Sequence, residues 1–361
     1  MIDLQLGIVV IAAGQGTRMR SALPKVLHPL CGRTLLGHVL AVADALAPVY
    51  TVVVLSPDTV EQVRERFGAS GRKGRDGDGG HDEVSAGHPY VYAVQAEQLG
   101  TGHAVLQARS SLPVPSDDVL VLYGDTPLLR AETARAVVDL RRATGALVGL
   151  MSFHADPPAG YGRVLRDAAG QVVELVEERN ATPEQYAIGE GNSGIMCFDA
   201  AWLWEALDRI RRNPLKGEYY LTDLVAMAVA QRGRGAAVAR PASDAREAWG
   251  VNDRAQLAQA AAVLRERILD QLMGAGVTVT DPATTYVDVD VTVGADTTLL
   301  PGTLLRGATR IGPGCKIGPH TTIVDSAIGG GARVRYALVE RAAVAEGATI
   351  GPFEHVAGES R

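Results

Sequence analysis

Up to about residue 250, short apolar runs rich in β-branched residues alternate with stretches whose apolar positions repeat every three or four residues. The first run, at 7–12, is apolar at nearly every position, as expected of a parallel strand buried on both faces. The pattern predicts an α/β domain with a mainly parallel sheet and helices on both of its faces. The predicted strands are 7–12, 50–55, 91–94, 119–122, 146–151 and 194–198, and the predicted helices lie near 34–47, 101–110, 131–142, 200–212 and 221–231.

After residue 250 the periodicity changes twice. Apolar positions in 251–276 keep a helical spacing that ends at Ala275-Gly276, which predicts a linker helix between a first domain at 1–250 and a last one at 277–361. In the last part, aliphatic residues recur every six residues with a few five-residue steps. Because three short faces of about six residues complete one coil, this period predicts a parallel β-helix of hexapeptide repeats. The aliphatic positions are Val287, Val293, Leu299, Leu305, Ile311, Ile317, Ile323, Ile328, Val334, Val339, Val344 and Ile350.

A loop of small residues, Ala-Ala-Gly-Gln-Gly at 12–16, follows the first predicted strand. With so little side chain there, backbone N–H groups can approach an anion closely. Arg18 and Lys25 add full positive charges, and Pro24 fixes the backbone just before the lysine. A helix beginning near the loop would add the positive end of its dipole. The loop predicts a phosphate site, and the two cations disfavour the alternative of a glycine turn made for packing alone.

Two common phosphate motifs do not fit this loop. Met19 stands where a dinucleotide fingerprint needs its third small residue, and the next apolar run, at 52–55, is followed by Ser56-Pro57 without a ribose-binding acid. The loop also lacks the Gly-Lys-Ser/Thr ending of a P-loop. The sequence therefore predicts phosphate binding by a loop of another class.

Composition limits the remaining possibilities. With 361 residues, 47% hydrophobic and 21% charged, the chain has the composition of an ordinary soluble protein of two domains, and its net charge of −6 argues against nonspecific nucleic-acid binding. Three widely spaced cysteines read as reduced thiols, so we expect a cytoplasmic protein, and nothing suggests a targeting or membrane segment. Residues 68–89, rich in glycine and charge, are expected to form a disordered surface insertion.

Eight motifs stand in order along the chain ahead of the hexapeptide repeats: AAGQGTRM at 12–19 with Pro24-Lys25, QAEQLGTGHA at 95–104, YGDTPLL at 123–129, GYGR at 160–163, VEE at 176–178, GEGNSGI at 189–195, GEYYLTD at 217–223 and GVNDR at 250–254. Together with the repeats, these motifs resemble the bacterial bifunctional N-acetylglucosamine-1-phosphate uridyltransferase/glucosamine-1-phosphate acetyltransferase family, GlmU. The resemblance covers essentially the whole chain, and it implies a Rossmann-like nucleotidyltransferase domain followed by a left-handed β-helix.

The resemblance also implies the roles of individual residues. Arg18 and Lys25 are expected to be catalytic, and Asp125 with Asn252 to hold Mg²⁺, which proteins commonly bind through a few oxygen ligands together with phosphates and waters. Glutamine can both donate and accept, which suits the mixed edge of a pyrimidine at Gln95. The implied nucleotide-binding residues are Ile11, Ala12, Ala13, Gly14, Lys25, Gln95, Gly100, Thr101, Tyr123, Gly124 and Asp125. The implied sugar-phosphate-binding residues are Gly162, Glu177, Asn192, Tyr220, Thr222 and Asn252.

The activity implied is transfer of UMP from UTP to N-acetylglucosamine 1-phosphate, with release of pyrophosphate, in a homotrimer assembled through the β-helix. Here the family's PFARLRPG-like segment reads PFEHVAG at 352–358 and nothing follows Arg361, so we expect the acetyltransferase part to be absent. Two alternatives stay open: another sugar-1-phosphate nucleotidyltransferase, and a noncatalytic trimeric scaffold. Neither nucleic acid nor a membrane is an expected partner.

Overall fold

In the computed structural model, which describes residues 4–68, 90–214 and 216–358, a nine-stranded sheet organises the first part of the chain. The sheet is mixed: Leu6–Ile11 pairs in parallel with both of its neighbours, whereas Glu190–Asp199 runs antiparallel to all three strands with which it pairs. Seven strands lie in the order Ala237–Pro241, Val148–His154, Glu190–Asp199, Asp118–Tyr123, Leu6–Ile11, Tyr50–Leu55 and Val91–Val94. A hairpin of Arg163–Arg166 and Val172–Val176 pairs with Glu190–Asp199.

Helices cover this sheet and complete the predicted α/β class. Apolar side chains of the sheet and the helices form two buried clusters in this unit, one around Val9 and the other around Ile8. Neighbouring residues of one strand fall in different clusters because side chains alternate between the two faces of a sheet. The α-helices among the described residues are Leu35–Ala45, Pro57–Phe67, Thr101–Ala108, Ala131–Thr144, Pro183–Tyr186, Ala200–Leu207, Asp223–Arg232 and Arg254–Gly274.

The predicted strands and helices of this part are all present, with ends shifted by a few residues. The hydrophobic pattern did not indicate the helix Pro57–Phe67 or the strands Arg163–Arg166, Val172–Val176 and Ala237–Pro241. Each of these strands has only four or five residues with polar positions among them, too few for a period of two to stand out. The predicted insertion at 68–89 lies, except for Gly68, outside the described residues.

The second compact unit begins at Leu257 and also includes Pro29–Thr34, whereas the first ends at Gln256. A helix, Arg254–Gly274, is present within the range 251–276 that was predicted to be helical, and Val263, Leu264 and Leu269 lie on its buried side. The inclusion of Pro29–Thr34 was not evident from the sequence. Within the second unit, the segment is held by an ion pair between Arg33 and Asp290 and by a hydrogen bond of 3.0 Å from the Val289 N–H to the Cys31 carbonyl oxygen.

Short parallel strands in the second unit form three sheets, the arrangement of a left-handed β-helix with hexapeptide repeats. The predicted aliphatic residues are all buried except Val293 and Val344, which are partly exposed. Leu304 pairs with Thr322, 18 residues on, but Thr322 pairs with Leu338, only 16 residues on, so the five-residue steps shorten the coil without moving its inward positions. The strands are Thr278–Val279, Thr298–Leu299, Lys316–Ile317, Arg333–Val334 and Thr349–Ile350 in the first sheet; Tyr286–Val287, Thr303–Arg306, Thr321–Val324, Leu338–Glu340 and His355–Ala357 in the second; and Thr292–Val293, Arg310–Ile311, Ala327–Ile328 and Ala343–Val344 in the third.

Buried threonines complete the interior of the β-helix. A small residue lies two positions before many of the inward aliphatic residues, and at Thr297, Thr303 and Thr309 it is fully buried. These hydroxyls donate to carbonyl oxygens of Gly312, Leu300 and Arg306 at 2.9, 2.7 and 2.6 Å, respectively. Because a buried carbonyl without a partner is costly, the hydroxyls stabilise the coil.

Candidate active site

The glycine loop begins where the central strand Leu6–Ile11 ends, and it packs against the predicted lysine. Gly16 has a φ of +61°, and a Cβ atom added there would lie 2.5 Å from the Cβ of Lys25. Only glycine therefore lets the lysine approach this closely without strain. The Ala13 carbonyl oxygen accepts a hydrogen bond of 2.7 Å from the Gln98 side chain, which holds the loop from its other side.

The expectation of a helix dipole at this loop is wrong. The residues after the loop, Thr17–Met19, form a single 3₁₀ turn bounded by left-handed conformations at Gly16 and Arg20, and the first α-helix begins only at Leu35. Three residues are too few to build up a macrodipole. The positive potential near the loop must therefore come from N–H groups and from the cationic side chains.

Lys25, Asp125 and Asn252, far apart in the chain, meet in one cluster. The ammonium group of Lys25, 9% exposed, forms an ion pair with Asp125 and lies 3.2 Å from Oδ1 of Asn252. Asp125 follows the strand Asp118–Tyr123, and its carbonyl oxygen accepts a hydrogen bond of 2.8 Å from the Val251 N–H, which brings the Asn252 loop alongside. A carboxylate and an amide oxygen thus converge on one point.

This pair of oxygens fits a hard divalent cation. Carboxylate and amide oxygens are ligands that Mg²⁺ and similar ions prefer, with waters and substrate phosphates filling the other positions. Residues 4–68, 90–214 and 216–358 contain no group of three or more His, Cys, Asp or Glu residues able to hold a metal without such help. We therefore expect any metal bound at Asp125 and Asn252 to take further ligands from a bound phosphate.

A cavity of about 410 Å³ in the first unit collects most of the predicted binding residues. Its walls come from the ends of sheet strands and from the loops beyond them, where open α/β sheets bind ligands. A volume of this size is typical of a small-molecule site. The predicted residues that line it are Ile11, Ala13, Gly14, Gln95, Gly100, Thr101, Tyr123, Gly162, Glu177, Asn192, Tyr220 and Thr222.

The remaining predicted residues do not line this cavity. Ala12 lies buried beneath the loop and against Gly124, where an added Cβ would be 3.0 Å from that of Ala12. Arg18 is exposed on the 3₁₀ turn, and Lys25, Asp125 and Asn252 form their separate cluster. Seven further residues line the cavity that were not predicted individually, although all of them lie within the motifs quoted above: Gln98, Ala104, Gly160, Tyr161, Ser193, Gly194 and Glu218.

Burial shifts the pKa of acidic groups on the cavity wall that includes Glu177. Desolvation raises the pKa of Glu177, and the neighbouring Glu218 carboxylate adds to the effect. The Thr222 hydroxyl donates a hydrogen bond of 3.0 Å to Oε1 of Glu177, which favours its charged form and opposes part of the shift. Burial likewise raises the pKa of the Tyr123 hydroxyl, which remains a neutral donor at physiological pH. The wall thus offers both donors and acceptors to a polyhydroxylated ligand.

Asp223, beside this wall, gives a pH-dependent prediction. Burial and the carboxylates of Glu177 and Glu174 raise its pKa to about 6 from an ordinary value of 3.8. Between these values the folded state binds more protons than the unfolded state, so this group lowers stability as pH rises and its full penalty is present above pH 6. We expect Asp223→Asn to be more stable than the wild type at about pH 8, with most of the gain lost near pH 4.5.

Urea denaturation of both proteins at the two pH values measures this difference. Asp58→Asn is the matched control, because Asp58 also lies in the first turn of a helix but is exposed. A gain for Asp223→Asn of the same size at both pH values would contradict the explanation.

Comparison with known families agrees with this geometry. The model of the MobA-like NTP transferase domain matches residues 8–186, which include the glycine loop, Lys25, Gln95 and Asp125. The mixed sheet, the loop at the end of its central strand and the adjoining cavity therefore define a nucleotidyltransferase. Enzymes of this class are typically dependent on a divalent metal ion.

Relatives extend the similarity through the β-helix. The chain is 44% identical to the bifunctional protein GlmU of Rhodococcus opacus over 360 residues, which cover 98% of this chain and 69% of that protein. It is also 44% identical to GlmU of Trichlorobacter lovleyi (96% and 72% covered) and 43% identical to GlmU of Streptomyces avermitilis (97% and 69% covered). The chain belongs to the GlmU family. Within its described part, none of the helices has the length and apolar character needed to cross a membrane.

Proposed function

We propose that this chain transfers UMP from UTP to N-acetylglucosamine 1-phosphate, producing UDP-N-acetylglucosamine and pyrophosphate for cell-wall precursor synthesis. The observation that carries the proposal is a single cavity whose walls include the glycine loop, Gln95 and the polar residues around Glu177. The loop suits phosphates, Gln95 suits a nucleobase and the polar wall suits a sugar. These three requirements together describe a sugar nucleotide.

The chemistry needs no base to activate a nucleophile. The attacking phosphate oxygen is already ionised at neutral pH, and a new O–P bond at the α-phosphorus of UTP replaces the bond to the leaving pyrophosphate. Catalysis then rests on positioning and on stabilising negative charge. In this proposal Lys25 and Arg18 stabilise charge that builds up on the leaving pyrophosphate.

Mg²⁺ is the metal that we assign to the cluster of Asp125 and Asn252. The support is the convergence of one carboxylate and one amide oxygen on the position of the Lys25 ammonium group. When bound there, Mg²⁺ would supply charge neutralisation for the reacting phosphates. The protein's part is to hold the two ligand oxygens near the glycine loop.

Pyrophosphate release tests this function directly. Wild-type protein with UTP, N-acetylglucosamine 1-phosphate and Mg²⁺ should release pyrophosphate, and omission of any one of the three should abolish the signal. A panel of the four nucleoside triphosphates against several sugar 1-phosphates distinguishes another sugar-1-phosphate nucleotidyltransferase. No release with any pair would instead favour the noncatalytic scaffold.

A homotrimer assembled through the β-helix is a further part of the proposal. Support comes from the outer face of one β-helix sheet, where Tyr286 is exposed and Leu304 and Leu338 are only half-buried. Apolar groups at such positions favour association. A molar mass measured by light scattering should equal three chains, and a strictly monomeric mass would contradict it. We also propose a cytoplasmic location, supported by three cysteines that form no disulfide.

A further inference from the structure

The side-chain amide of Gln95 is held by its nitrogen. Nε2 lies 3.1 Å from the Gly100 carbonyl oxygen and 3.0 Å from Nδ1 of His103. Gln95 is only 4% exposed, yet it lines the cavity. The amide nitrogen thus lies within hydrogen-bond distance of two groups of the protein, whereas the side-chain oxygen has no hydrogen-bond partner within the described residues.

The Gly100 carbonyl determines which way the amide faces, because a carbonyl oxygen can only accept. Its position is itself fixed by the backbone of Tyr219. The Tyr219 N–H donates to the Leu99 carbonyl at 2.7 Å, and the Gly102 N–H donates to the Tyr219 carbonyl at 2.8 Å. Gly100 has a φ of +98°, and a Cβ atom there would lie 2.7 Å from the Tyr219 carbonyl oxygen. The acceptor for Gln95 is thus part of a tightly held loop.

His103 supplies the second acceptor, on condition that its Nδ1 carries no proton. The matching state is the neutral imidazole with its proton on Nε2. On that side Nε2 of Gln107 lies 3.1 Å from Nε2 of His103 and 3.5 Å from the His103 carbonyl oxygen, so this state also requires a half-turn of the Gln107 amide that brings its oxygen to the ring proton. When Gly100 and His103 both accept, the Gln95 amide cannot turn over. Its oxygen would then face the Gly100 carbonyl oxygen and the lone pair on Nδ1 of His103, and both would repel it.

We propose that His103 is a positioning residue that makes the site select uracil over cytosine, by holding Gln95 so that it presents only its oxygen to the nucleobase. This inference rests on the proposed function, in which Gln95 faces the base of the nucleoside triphosphate. Uracil carries a proton on N3, which the Gln95 oxygen can accept. Cytosine has a lone pair on N3, so the same oxygen repels it, and a buried polar group left unpaired discriminates strongly.

Replacing His103 tests the inference through nucleotide preference rather than overall rate. In His103→Leu the second acceptor is lost, so we expect the ratio of kcat/KM for UTP to that for CTP to fall about three- to tenfold, as the loss of one neutral hydrogen bond allows. His103→Asn places an amide oxygen close to the position of Nδ1 and should largely restore the ratio. His154→Leu, which removes an exposed histidine at the end of the strand Val148–His154, should leave the ratio unchanged.

Equilibrium binding of UTP and CTP to the same variants keeps the inference separate from the proposed function. A wild-type protein that prefers UTP in binding but does not transfer UMP would refute the function alone, provided that His103→Leu reduces the binding preference. An equal loss for UTP and CTP in His103→Leu, or an unchanged ratio, would overturn the inference while the function stands. Failure of the wild-type protein to prefer UTP in binding would overturn it as well.

Discussion

Lys25→Ala and Asp125→Ala are each expected to lower the rate of uridyltransfer by at least about a hundredfold, the effect typical of removing one group that stabilises charge in a transition state. The two side chains form an ion pair beside the glycine loop, and Gly16 leaves room for Lys25 there. Alanine at 25 removes a fixed cation for the leaving pyrophosphate. Alanine at 125 removes the charged oxygen ligand of the proposed metal site.

Steady-state kinetics with UTP, N-acetylglucosamine 1-phosphate and Mg²⁺ measures both effects. Lys316→Ala is the control, because Lys316 is an exposed lysine of the β-helix outside the first unit and should keep full activity. Since Lys25 and Asp125 are in contact, the double variant should lose less than the product of the single losses. Near wild-type turnover by either purified, folded single variant would refute the assignment.

The largest expected effect on stability comes from a buried charge in the nine-stranded sheet. Asp118 is fully buried at the start of a central strand and pairs with both Arg141 and Arg142 of the covering helix, the latter at 2.6 Å. Arg141 is itself buried. Removing one partner of a buried ion pair leaves uncompensated charge, which costs about 3–5 kcal/mol. We therefore expect Asp118→Leu to lower the free energy of unfolding by that amount.

Urea denaturation provides the measurement, and a surface pair provides the comparison. Asp208 pairs with Arg109 at 3.0 Å but is 59% exposed, so Asp208→Ala should change the free energy of unfolding by no more than about 1 kcal/mol. Asp118→Asn, which keeps the shape but not the charge, should also be clearly destabilised. Equal stability of Asp118→Leu and Asp208→Ala would show that the buried charges are compensated in some other way.

Much of the fold could be predicted from the spacing of apolar residues along the chain. The six-residue spacing of aliphatic residues specified the β-helix and its inward positions, because a repeat that must stack on itself leaves its period in the sequence. In the first unit, apolar runs located the central strands for a similar reason, since these strands are buried on both faces. The hairpin of Arg163–Arg166 and Val172–Val176 was not predicted, because its strands are short and partly exposed.

The site was predictable as a set of residues but less so as an arrangement. Motif resemblance selected twelve of the residues that line the cavity, yet it could not show that Arg18 stays outside it. The helix dipole expected at the loop was wrong because left-handed residues at Gly16 and Arg20 confine Thr17–Met19 to one turn. The sequence could not show this end of the turn, because a glycine at position 16 was already expected for close approach to an anion and did not by itself indicate a left-handed conformation.

Gln95 shows most clearly what the sequence determines and what only the tertiary structure determines. By itself the sequence determined the fold class, the β-helix, the glycine loop and the presence of a glutamine able to donate and accept. Only the tertiary structure decided which side of the amide remains for a ligand, because Gly100 and His103 both lie within hydrogen-bond distance of its nitrogen. Likewise, Lys25, Asp125 and Asn252 meet only through the pairing of strands and loops that are distant in the chain. Hydrophobic patterns record which residues are buried, whereas the direction of a hydrogen bond depends on neighbours that folding alone brings together.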